Sequence, residues 1–73
     1  MSHSEIKLLA EDISCDHCAM AIRRELQEVE GVRVVDVNVP DKTVTLSYDD
    51  QAALARAMDL MREIGYPAER AVE

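Results

Sequence analysis

Apolar residues alternate with polar ones at the start of the chain and again in its middle, and between and after these stretches they recur at helical spacing. Ile6, Leu8 and Ala10 fall at period two within residues 5–12, the pattern of a half-buried strand. From Cys18 to about Val29 the period changes. Cys18, Ile22, Leu26 and Val29 share one helical face, and Arg23, Arg24, Gln27 and Glu28 take the opposite one. Gly31 predicts the stop of that helix. Residues 32–39 are a β-branched run, read as a strand with Val35, Val37 and Val39 on one face. Pro40-Asp41-Lys42 predicts a turn, after which Val44, Leu46 and Tyr48 alternate with Thr43, Thr45 and Ser47 to complete a hairpin. Asp49 and Asp50 suit an N-cap and first turn. Leu54, Ala57, Met58, Met61 and Ile64 form the inner stripe of a second helix, closed by Gly65, and Tyr66-Pro67 lead into a short strand around 68–72.

The predicted order is strand, helix, strand, then strand, helix, strand. Two split units of that kind pack both helices on one face of a four-stranded antiparallel sheet, an α+β fold. A chain of 73 residues is expected to be one domain over 1–73, with its core at about 5–72. Phe and Trp are absent, so the core is expected to be aliphatic. A net charge of −7 argues against nucleic acid as a partner, because tracking phosphates needs clustered Lys and Arg. The residues Met1-Ser2-His3-Ser4-Glu5 show no basic stretch followed by an apolar one, and no apolar run is long enough to span a bilayer. The expectation is a cytoplasmic protein without direct membrane insertion, in a compartment where thiols persist.

Chemistry concentrates in Ile13-Ser14-Cys15-Asp16-His17-Cys18, which holds both cysteines of the chain. This Cys-x-x-Cys lies where the first strand gives way to the first helix. There, unpartnered backbone N–H groups and the helix dipole favour thiolate over thiol. Cys18 falls on the apolar stripe and is expected to be half buried, with Cys15 exposed in the preceding loop. A dithiol so placed either binds a soft metal ion or cycles to a disulfide. Two thiolates with no obvious third ligand favour a low-coordinate ion, Cu(I) above Ag(I) and Hg(II). Four-coordinate zinc needs two more ligands, which the local sequence does not clearly supply.

Asp12-Ile13-Ser14-Cys15-Asp16-His17-Cys18, with Ile22, Leu26, Gly31-Val32 and Gly65-Tyr66 downstream, resembles a heavy-metal-associated domain, and more closely the small bacterial cytosolic copper chaperones. The resemblance covers roughly residues 5–72. It implies a ferredoxin-like βαββαβ sandwich, Cu(I) held by Cys15 and Cys18, and transfer to the metal-binding domain of a copper-transporting P-type ATPase. It further implies that Tyr66 faces the metal loop and that His17 matches a histidine often found between the cysteines. Ile13 stands where the family usually carries a methionine and is expected to serve as the apolar plug. The chain is expected to be a monomer without metal, with a metal-bridged dimer as an open alternative.

The rival reading is a glutaredoxin-like thiol-disulfide oxidoreductase. Such enzymes usually carry Pro after the first cysteine, where this chain has Asp16, and Pro40 lies between two strands where that fold expects a helix. A metal-binding module for another soft metal (Hg, Ag or Zn) and a regulatory metal-binding module of a larger transporter are further alternatives. Catalytic triads, phosphate-cradling glycine loops and helical His pairs are missing, so no enzymatic activity is expected. Met58 and Met61 read as core, and His17 as a group beside the metal rather than on it. Met20 falls off the apolar stripe, and His3 reads as tail.

Overall fold

The computed structural model describes residues 4–72; His3 and the residues before it lie outside the described residues. The chain runs β1 (Ser4–Leu9), α1 (Asp16–Leu26), β2 (Val32–Asn38), β3 (Thr43–Tyr48), α2 (Gln51–Glu63) and β4 (Arg70–Ala71). The four strands make one sheet in the order β2-β3-β1-β4, every neighbouring pair antiparallel. Each helix therefore connects two parallel strands with a third threaded between them, and the expected βαββαβ arrangement is the one observed.

The period-two pattern and the register agree. Ile6 faces Leu46 and Val34 across the sheet, and Leu8 faces Val44 and Val37. Beneath these rows lie Cys18, Ile22 and Leu26 of α1 and Leu54, Ala57 and Met61 of α2, in one continuous aliphatic cluster. Met58 and Ile64 pack against it, partly buried. No aromatic ring is fully buried, so the core depends on the close fit of branched side chains.

The boundaries differ from expectation in four places, the first being β1, which spans Ser4–Leu9 where a strand pattern over 5–12 was expected. Helix α1 begins at Asp16 rather than Cys18, because Cys15 is its N-cap, and it ends at Leu26. Glu28 and Val29 continue in tighter turns, bonded to the carbonyls of Glu25 and Leu26, so Val29 still reaches the core. Val35 does not share a face with Val37 and Val39. The register slips between Val34 and Asp36, and the extra residue is Val35, turned outward and 45% exposed. This bulge puts Val32 and Val34 inward on one side of it and Val37 and Val39 inward on the other. The last strand is shorter than 68–72, although Glu69 and Val72 extend its pairing with backbone bonds to Leu9 and Lys7.

Gly31 permits the entry into β2. Its φ is +84°, and a Cβ there would stand 3.1 Å from that of Ala53, so only glycine takes both the turn and the close approach of α2. At the other helix, the Asp50 carboxylate accepts a 2.8 Å bond from the Ala53 N–H and caps α2.

Candidate metal centre

Ala10 ends the strand side of the site, fully buried, with its N–H bonded to the Lys42 carbonyl at 2.8 Å. A turn follows, closed by a 3.1 Å bond from the Ile13 N–H to the Ala10 carbonyl. This turn drives Ile13 into the core, where none of it is exposed. Ile13 is thus a pin two residues before the first thiol, the position in which an apolar plug was expected.

Cys15 has extended backbone (φ −159°, ψ 173°) and caps α1 without any bond from its own side chain to the helix N–H groups. Its carbonyl accepts the N–H groups of Cys18 and Ala19 at 3.1 and 3.3 Å. That first turn brings the two sulfurs to 3.6 Å, both as free thiols, Cys15 exposed and Cys18 buried. Cys18 is more enclosed than the half-burial expected of it. The Ser14 hydroxyl lies 3.9 Å from Cys18 Sγ on the other side.

Tyr66 joins these residues from the opposite end of the chain. Gly65, at φ +94°, closes α2, and the Tyr66 N–H bonds the Met61 carbonyl at 2.8 Å. The Tyr66 hydroxyl, facing Cys18 Sγ, is the largest cause of a thiol lowered from 9.0 to about 6. Backbone groups of Ser14 and Cys15 and the Cys15 thiol add to the lowering, while burial opposes it. Tyr66 is correspondingly pushed up, first by its bond to Cys18, then by burial and by the charges of Cys18, Cys15 and Asp12. A phenol that keeps its proton is a dependable donor to a thiolate.

His17 lies on the exposed side of α1 and makes no hydrogen bond among the described residues. Among the described residues no three His, Cys, Asp or Glu side chains converge as a metal site, so the thiol pair stands without a third ligand of those types. The sequence reading missed the hydroxyl of Ser14 as a partner of Cys18. Its signal was a Ser four residues ahead of the buried cysteine, spanning the helix start. The sulfur separation also has a chemical meaning. With metal–thiolate bonds of about 2.3 Å, sulfurs 3.6 Å apart subtend roughly 100° at a shared ion. A linear pair needs roughly 4.6 Å by the same bond length, and exposed Cys15 is the side that can open.

Three comparisons bear on this geometry. A family model described as heavy-metal-associated domain matches residues 7–67. The copper chaperone CopZ of Staphylococcus aureus (strain NCTC 8325 / PS 47) is 35% identical over 60 residues, covering 81% of this chain and 88% of that protein. Among solved structures, a CopZ metallochaperone superposes with a TM-score of 0.78 at 29% identity, over 90% of this chain and 100% of the other. Oxidized MerP from Ralstonia metallidurans CH34 superposes at 0.82 with 20% identity, over 99% and 100% of the two chains, a likeness of fold alone.

Proposed function

Since the chain belongs to the heavy-metal-associated domain family, we propose that it is a cytoplasmic copper chaperone. It carries one tightly bound Cu(I) on Cys15 and Cys18 and passes it on by thiolate exchange. The observation that carries this reading is the pair of free sulfurs 3.6 Å apart, one buried and hydrogen-bonded, the other exposed. The similarity to copper chaperones over most of the chain supports copper as the cargo. So does the donor set, because two soft thiolates with no third His, Cys, Asp or Glu converging on them among the described residues suit a low-coordinate soft ion better than zinc.

The two thiols have different work. Cys18 is the anchor: the Tyr66 hydroxyl and the backbone of Ser14 favour its thiolate form beneath the loop. Cys15 carries the exposed side of the ion, where an acceptor thiolate bonds before either original bond breaks. Copper stays Cu(I) throughout; the acceptor's thiol proton passes to solvent, and the sulfur of this chain released when its copper bond breaks takes a proton back or stays a thiolate. Tyr66 and Ile13 shield and support the loop without ligating. We read the acceptor as the metal-binding domain of a copper-transporting P-type ATPase, and the protein as a carrier rather than an enzyme.

Anaerobic titration of the reduced protein with Cu(I) against a chelator of known affinity tests the reading. One tight equivalent is expected, lost in both Cys15→Ser and Cys18→Ser while the circular dichroism stays native. Tight binding retained by either single variant refutes the ligand assignment. Mixing the loaded protein with an acceptor Cys-x-x-Cys domain then tests transfer. A rate independent of acceptor concentration would make the protein a buffer, and turnover of a glutathione mixed disulfide would make it an oxidoreductase.

A further inference from the structure

The outer face of α1 carries a cluster that the thiol site leaves unused. On a helix of 3.6 residues per turn, Met20 is three residues from His17 and four from Asp16, so both lie on its own face one turn earlier. The same spacing puts all three on the side of the helix away from Cys18, Ile22 and Leu26, which face the core. All three are exposed, and Met20 most conspicuously, at 61%, the largest value among the exposed large apolar residues of the described chain. Methionine usually fills gaps in a core, as Met61 does here, fully buried. Leaving its thioether in water forgoes that burial.

We infer that Asp16, His17 and Met20 form a second, weaker site for a monovalent soft metal ion, separate from the thiol pair. The chemistry is complementary. A thioether selects Cu(I) over hard ions, and an imidazole is a good ligand for copper. The Asp16 carboxylate supplies one negative charge, so a bound monovalent ion leaves the ion and its ligands neutral together. Ligands at helical i, i+3 spacing are an established way to present two donors to one metal. Neither His17 nor Met20 has a competing hydrogen bond among the described residues. Arg23 and Arg24, three and four residues beyond Met20, are long exposed side chains whose charges can turn away into solvent.

Such a site lacks thiolate, so it is weaker and faster than the Cys15–Cys18 pair and fills only after it. The inference goes beyond the chaperone reading and does not depend on it. The probe is Ag(I), which is soft, monovalent and redox-stable, added to the reduced full chain at neutral pH. The methionine methyl and histidine ring signals are followed by NMR. Between one and two equivalents the Met20 methyl and the His17 ring should shift together. Met58 and Met61, packed in or against the core, should stay in place. Met20→Leu should weaken the second equivalent at least about tenfold, as even loss of a group behind a metal ligand does, and leave the first unchanged. The site is overturned if the Met20 methyl keeps its free position through two equivalents, or if Met20→Leu takes the second ion as the wild type does. Should the first equivalent move Met20 and spare the cysteine signals, the thiol assignment fails while this site stands.

Discussion

Replacing Ile13 by Ala tests whether the loop that presents the thiols is pinned from below. Ile13 is wholly buried, in contact with the cluster that includes Leu8, Ile22 and Met61. Truncation to Ala removes three carbons from a site closed by both sheet and helices, and such changes cost about 2–5 kcal/mol. At ~0.05–0.15 kcal/mol per residue, a chain of 73 residues has roughly 4–11 kcal/mol in all. The variant should therefore lose at least about a fifth of its stability, and most of it if the total lies at the low end. Domains of this size shift by roughly 4–8 °C per kcal/mol, so a loss of ~3 kcal/mol lowers Tm by roughly 12–24 °C. Urea unfolding of the apo protein, followed by circular dichroism, reads the change at constant m. Val72→Ala, at a residue 38% exposed, is the control and should stay within about 0.5 kcal/mol. A loss below about 1 kcal/mol for Ile13→Ala, or one no larger than the control, would refute the claim that this residue anchors the loop.

Three further outcomes follow from the lowered Cys18 thiol and the cap on α2. Alkylation of Cys18 should show a rate midpoint near pH 6, and Tyr66→Phe should move it upward, because the hydroxyl is the largest cause of the lowering; an unmoved midpoint would remove Tyr66 from that role. The folded thiol lies below its ordinary 9.0, so the thiolate favours the folded state. Apo stability from this group is complete above about pH 9 and is lost as pH falls through about 6, a slope that Cys18→Ser should flatten. Asp50→Ala should cost about 1 kcal/mol through loss of the cap on α2, read as a lower urea midpoint. No change would mean that water replaces the 2.8 Å bond to Ala53.

The elements were legible where one face is buried and the other wet. Ile6, Leu8 and Ala10 gave β1, and Leu54, Ala57 and Met61 gave α2, because burial imposes the period directly. The bulge at Val35 was not legible. In a run of valines every position is apolar, so the alternation carries no phase, and only the partner strand settles which residue is extra. The start of α1 was misplaced by two residues because the cap at Cys15 makes no side-chain bond to announce it. The thiols were plain from their spacing and from the change of period beside them. Tyr66 was another matter. No local pattern links it to Cys18, 48 positions earlier in the chain; family resemblance suggested the pairing, and the turn at Gly65 accomplishes it.

The bulge also bears on how copies of this chain meet one another. Strand β2 is an outer strand of the sheet, with one side of its backbone unpaired by any neighbour within the described chain. It carries Val32, Val34, Val35 and Val37, and a straight ribbon of that composition would invite an identical ribbon to zip alongside it. Because Val35 is the extra residue, an incoming strand can hold register along residues 32–34 or 36–38 but not through both. Arg33 and Asp36 add exposed charges on either side of the break. The residue that spoils the strand's regularity therefore keeps its valines bound to their own core instead of to another molecule's edge.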